Sequence, residues 1–171
     1  SMGGYVALAL ARRHAGRLRG LILADTRAGV DDTATRTHRT KSIELAREKG
    51  SAALFDGMLP KVLSDATRDA KPDVVTRLKG IAGRQPADAV VAALAALRDR
   101  PDANPGLKAI AVPTLVLVGE HDAVTPPLSS ANLSAQIPGS RLVHIPGAGH
   151  LSNAENPGAF NDAVRGFLAG L

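Results

Sequence analysis

Pro113-Thr114-Leu115-Val116-Leu117-Val118-Gly119-Glu120-His121-Asp122 sets an unbroken apolar, β-branched run directly before a charged loop. No polar residue alternates within the run, so it reads as a strand buried on both faces, the mark of a parallel sheet. Upstream, Leu18-Arg19-Gly20-Leu21-Ile22-Leu23-Ala24-Asp25-Thr26 has the same character and the same reading. Downstream, Arg141-Leu142-Val143-His144-Ile145-Pro146 supplies a third strand. Helices separate them. Ala and Leu dominate the segment from Tyr5 to His14, apolar almost all round, which predicts a buried helix starting near Met2 and stopping at Gly16. Pro127–Gln136 is a second helix with prolines at its entry. Asn156–Leu171 is a closing amphipathic helix, with Phe160, Val164 and Phe167 on one face. Strands alternating with helices in this order define an α/β fold on a parallel sheet, with right-handed crossovers expected.

Between the first two strands the pattern changes. From Asp31 to about Pro105, charged and apolar residues recur at helical spacing, punctuated by Gly50, Gly57, Pro60, Pro72, Gly83, Pro86 and Pro101. Four short helices are predicted, Thr33–Lys49, Ser51–Leu63, Asp73–Ala82 and Ala87–Arg98, with no strand among them. The chain thus divides into a core, residues 1–30 and 106–171, and a helical insertion, residues 31–105. Such an insertion in a strand-helix protein is the kind that caps a site; a subdomain that only adds bulk is the plainer reading.

Composition narrows the function classes. The 171 residues are 44% apolar and 22% charged, with no cysteine. Enough apolar surface is present to fold, and disulfides, thiolate metal sites and a Cys nucleophile are excluded. The net charge of +5 comes from 21 basic and 16 acidic residues, which are intermixed, and only 2% of residues are aromatic. That argues against nucleic acid, which wants a basic face and stacking platforms. The densest basic stretch, Arg12, Arg13, His14, Arg17 and Arg19, reads as the solvated end of a helix, where cations suit the dipole. No apolar run is long enough to span a bilayer, and no signal peptide is visible, so a cytoplasmic protein is the expectation.

Ligands of open parallel sheets sit outside the carboxyl ends of the strands. Asp122 follows the second strand, His150 follows the third, and Ser1 heads the first helix. All three belong to one sheet edge, in the order Ser, Asp, His. A serine needs a base to take its proton, and that imidazole needs a carboxylate to fix its tautomer. Asp25, ending the first strand, is the rival acid; a loop-ordering role suits it as well. Glu120 and His121 beside Asp122 raise the thought of a metal, but neighbouring residues on an extended segment diverge and no further ligands complete a set. His14, His38 and His144 read as solvent-facing.

At these residues the chain resembles the α/β-hydrolase family. Ser1-Met2-Gly3-Gly4 matches the second half of the G-x-S-x-G nucleophile elbow, with Gly3 implied as the close-packing glycine. Val118-Gly119-Glu120-His121-Asp122, then Thr125-Pro126-Pro127, is similar to the acid loop. Ile145-Pro146-Gly147-Ala148-Gly149-His150, then Glu155-Asn156-Pro157, is similar to the histidine loop and the start of the last helix. Thr26-Arg27-Ala28 and the short cap are similar to small-substrate members such as enol-lactonases, arylesterases and ring-cleavage C–C hydrolases.

The resemblance implies Ser1 as nucleophile, Asp122 as acid, His150 as general base and the Met2 backbone N–H as an oxyanion donor, with no metal or organic cofactor. It implies a small ester, lactone or related carbonyl as substrate. It also implies that upstream strands and a second oxyanion donor accompany this chain as a companion segment, since family members do not begin at the nucleophile. Two readings stand beside it: a non-catalytic binding module, and an N-terminal-nucleophile hydrolase in which the Ser1 α-amine is the base. The latter would require a sandwich of two β-sheets.

Overall fold

In the computed structural model, which describes residues 1–171, three strands form one parallel sheet in the order β1 (Leu21–Ala24), β2 (Thr114–Gly119), β3 (Arg141–Ile145). Leu21 pairs with Thr114 and Ala24 with Leu117; Leu115 pairs with Arg141 and Gly119 with Ile145. The register brings the three strand ends, Ala24, Gly119 and Ile145, to one edge.

Helices cover both faces. On one side, α1 (Met2–Arg13), α6 (Pro127–Gln136) and a 3-10 turn at Asn104–Ala109 enclose Leu8, Leu23, Leu107, Val116, Leu133 and Ile137. On the other, α8 (Pro157–Leu168) lays Phe160, Val164 and Phe167 against Leu115, Leu117 and Ile145. Successive β2 residues therefore serve opposite layers, and every residue of that strand is buried. Burying each of its Leu and Val side chains is worth about 1.5–3 kcal/mol. The sandwich of sheets that an N-terminal-nucleophile hydrolase needs is not what this chain forms, and that reading falls.

Two outer elements are less buried than their composition suggests. β1 alternates between buried Leu21 and Leu23 and half-buried Ile22 and Ala24, because only the rim of α8 reaches its second face. In α1 a single stripe, Gly4, Leu8 and Ala11, is buried. Met2, Val6 and Leu10 are exposed, Val6 by 65%, because β1 lies under one flank of the helix only.

The helical insertion contains α2 (Thr33–Val62), α3 (Asp65–Ala70), α4 (Pro72–Gly83) and α5 (Ala87–Arg98). α2 is two helices joined at Gly50, whose φ of 79° and ψ of 176° break the helical ladder. Only glycine adopts such a conformation without strain, and this is where the sequence marks the break. The unpredicted α3 starts at Ser64, whose hydroxyl accepts from Thr67 N–H. Unpredicted too is α7 (Ser152–Glu155), a single turn just after His150. Ile43, Ala46, Leu54 and Leu94 form the insertion's own small core. No helix is long and apolar enough to cross a membrane.

Candidate active site

The edge where the strands end is held by backbone bonds between loops. After β2, Glu120 N–H donates to Ile145 O at 3.1 Å, His121 N–H to Ala148 O at 2.8 Å, and Asp122 N–H back to Gly119 O at 3.1 Å. The acid loop is thereby strapped along the histidine loop. A Cβ on Gly119 would strike the carbonyls of Gly149 and Ala148, so the close approach needs glycine.

This strapping brings Asp122 to His150. Asp122 Oδ2 lies 2.8 Å from His150 Nδ1, with both side chains buried. Its other bonds are local: Oδ1 accepts from Val124 N–H at 2.8 Å and Thr125 N–H at 2.9 Å, and Oδ2 from the Thr125 hydroxyl at 2.7 Å. Burial alone would raise the Asp122 carboxyl; the hydrogen bond and charge of His150, then the Thr125 bonds, outweigh it and hold the group below the usual carboxylate range. With Nδ1 donating to a carboxylate, the hydrogen-bond network assigns the tautomer that leaves Nε2 as an acceptor.

Asp25 serves the same edge without touching His150. It is the one non-glycine residue with positive φ, 49°, a conformation Asp tolerates better than most residues. Its Oδ1 accepts from Gly119 N–H at 2.9 Å and its Oδ2 lies 2.5 Å from Ser152 Oγ. Asp25 thus ties the end of β1 to the end of β2 and to α7. Burial, reinforced by the charge of Asp122, raises its carboxyl despite the opposing Ser152 and Gly119 hydrogen bonds.

Ser1 is fixed at the end of β1. Its backbone nitrogen donates to Ala24 O at 2.7 Å, and its carbonyl accepts from Thr26 Oγ1 at 2.9 Å and Gly4 N–H at 2.9 Å. Met2 N–H lies in the first turn of α1, where amides have no intrahelical acceptor. Gly4 packs against the chain leaving β1: a Cβ on it would collide with the Thr26 side chain, whereas one on Gly3 would meet nothing of residues 1–171 within 4 Å.

Glu120 and His121 are exposed, and Glu120 Oε2 accepts from Gly147 N–H at 2.9 Å. His14, His38 and His144 are exposed. A cavity of about 360 Å³ lies elsewhere, between α1 and residues 100–110, against Tyr5, Leu8, Arg12, Arg100 and Leu107. None of Ser1, Asp122 or His150 lines it. Its buried cation, Arg100, is held by Asp31, Leu97 O and Gly29 O.

Two polar residues of the site are not singled out by sequence alone. Ser152 reaches Asp25 across the sheet, and Glu155, although part of the histidine-loop motif, is a fully buried carboxylate. Both find partners far away in the chain.

Comparison with known proteins agrees with this fold. The model of the Alpha/beta hydrolase family matches residues 1–163. A thermophilic esterase from Thermogutta terrifontis, in its malate-bound structure, superposes with a TM-score of 0.95 at 38% identity over 99% of this chain. The enol-lactonase from Burkholderia xenovorans LB400 superposes with a TM-score of 0.89 at 31% identity over 99% of it. Among curated proteins, 3-oxoadipate enol-lactonase 2 of Acinetobacter baylyi is 29% identical over 98% of this chain. The chain spans 62%, 63% and 61% of those three proteins, respectively.

Proposed function

This chain belongs to the alpha/beta hydrolase family, and on that premise we propose that it carries the catalytic groups of a serine hydrolase acting on a small ester or lactone. The observation that carries the proposal is the buried Asp122–His150 pair, 2.8 Å apart at the sheet edge that also holds Ser1. The names of the relatives, esterases and enol-lactonases, support the substrate class.

In this mechanism His150 Nε2 takes the Ser1 Oγ proton as that oxygen attacks the substrate carbonyl. Asp122 holds the ring and stabilises the imidazolium that forms. The Met2 N–H, at a helix N-terminus, donates to the developing oxyanion. The imidazolium returns its proton to the leaving oxygen; a water, deprotonated by His150, then cleaves the acyl-enzyme. The insertion lies over the edge as a cap that limits the pocket to small substrates and excludes water. The working enzyme is completed by further strands on the free edge of β1, together with cover for Val6 and Leu10 on α1. That edge has no partner in this chain, and an open apolar parallel edge invites pairing.

Kinetics on a short-chain aryl ester and a small lactone test the proposal. Ser1→Ala and His150→Ala should each lower kcat by about 10⁴-fold, and the double variant by little more, because the groups act as a unit. Additive losses, or turnover that survives Ser1→Ala, would refute the mechanism and favour a binding role or another nucleophile.

A further inference from the structure

Glu155 is 1% exposed and has no cationic side chain beside its carboxylate. Three backbone N–H groups face it instead. Oε1 accepts from Gly149 at 2.9 Å and from Leu151 at 3.2 Å, the two neighbours of His150. Oε2 accepts from Ser64 at 2.8 Å, 91 residues away, where the insertion turns from α2 into α3. Three more contacts follow the same line. Ser64 Oγ donates to Gly147 O at 2.9 Å, Lys71 Nζ donates to Glu155 O at 2.6 Å, and a Cβ on Gly149 would sit 2.7 Å from Ser64 N. One carboxylate therefore spans the seam between the cap and the histidine loop, at the point where the two backbones press together.

We propose that Glu155 is a positioning residue that couples the cap to His150, so that the seating of the cap sets the placement of the general base. The proposal rests on His150 being that base. Its physical content lies in the donor count. Three donors and no acceptor face the two oxygens, so both must accept, and a carboxylate does this where no neutral side chain of the same size can. Glutamine has one accepting oxygen. That oxygen settles against the two donors at Gly149 and Leu151, and the amide NH₂ then faces Ser64 N–H, donor against donor. Glu155→Gln thus cuts the cap arm and spares the histidine arm. Glu155→Ala cuts both and leaves buried N–H groups unpaired, a cost that folded proteins rarely carry.

The test uses the protein as its source produces it. Amide hydrogen exchange at Ser64, Gly149 and Leu151 is read with the ring-nitrogen chemical shifts of His150 and with kcat and KM on an aryl ester. For E155Q, exchange should rise about tenfold at Ser64 and stay near wild type at Gly149 and Leu151, and KM should rise more than kcat falls. For E155A, exchange should rise at all three amides, the His150 ring signals should move, and kcat should fall by about tenfold or more, since small misplacements of a catalytic group are costly. Should E155A fail to fold, E155Q decides alone. Equal effects of E155Q at all three amides, or wild-type exchange and ring signals in the folded variants, would overturn the coupling. A wild-type protein inactive on every ester and lactone would refute the functional reading; exchange and ring signals would still decide the coupling.

Discussion

The sheet and the helical insertion are held in opposite ways. The sheet sits between two apolar layers whose side chains interlock across β2, with Leu115, Val116, Leu117 and Val118 fully buried. The insertion has only the small cluster of Ile43, Ala46, Leu54 and Leu94. It is fastened at two points by carboxylates. Where the insertion leaves and rejoins the core, Asp31 collects Arg27, Arg39 and Arg100, at 2.6, 2.5 and 2.7 Å; at its middle, between α2 and α3, Glu155 collects the backbone N–H of Ser64 together with those of the histidine loop. Apolar area is non-directional and stabilises a body as a whole. Hydrogen-bonded carboxylates are directional and fix one element relative to another. The sheet is thus built to hold the edge that carries Asp122 and His150, and the insertion to be held against it at set points.

This contrast can be broken at either region. The largest loss should follow Leu117→Ala, which empties a fully buried site under α8: about 3–4 kcal/mol of global stability, read as a lower denaturant midpoint at all probes together. Asp31→Asn should come next, at about 3 kcal/mol, because it strands guanidinium groups beside a buried position. Burial would raise the Asp31 carboxyl, but the hydrogen bonds and charges of Arg100 and Arg39 hold it far below the usual carboxylate range. Its stabilisation is therefore present above the unfolded value near pH 4 and lost as pH falls through the folded one. Hydrogen exchange should show the loss concentrated in α2 and α5, with β2 protected. Uniform loss of protection would mean that the insertion and sheet unfold as one unit. Leu54→Ala should cost less, about 2 kcal/mol, since the insertion's small cluster can collapse around the vacancy; thermal melts of the two Leu→Ala variants compare the regions directly.

The smallest effect sharpens the account of the edge. Asp25 has its carboxyl raised by burial and by Asp122, so its sign is opposite to that of Asp31. The unfolded chain ionises first as pH rises, and stability declines from about pH 4 upward until the folded group also ionises. Asp25→Asn keeps an acceptor for Gly119 N–H and supplies a donor to Ser152 Oγ, and asparagine tolerates the positive φ. The variant should melt higher than wild type at neutral pH and converge with it near pH 4. A lower melting point at neutral pH would show that the charge itself stabilises the edge.

What the sequence makes legible follows from how local each signal is. The apolar run 114–118, the glycine break at 50 and the aromatic stripe of α8 are each read within one element, and each stands where it is expected. Asp122 and His150 are legible as the residues that follow two strands, although they lie 28 positions apart. Contacts set by the meeting of distant segments are not legible. Glu155 meets Ser64 across 91 residues, Ser152 meets Asp25 across 127, and Gly4 meets Thr26 once α1 has packed on β1. The partial burial of α1 and β1 escapes for a related reason. An apolar composition tells which surfaces can be covered, and only the arrangement of neighbours tells which are.

The central claim is that Ser1 is a nucleophile activated by His150. The direct measurement is mass spectrometry of the protein after treatment with a serine-directed phosphonylating reagent, followed by peptide mapping. The account requires one adduct per chain, on Ser1, formed rapidly in the wild-type protein and in Glu155→Gln, and slowed by about 10³-fold or more in His150→Ala. An adduct on another serine, or labelling of Ser1 at the same rate without His150, would contradict it.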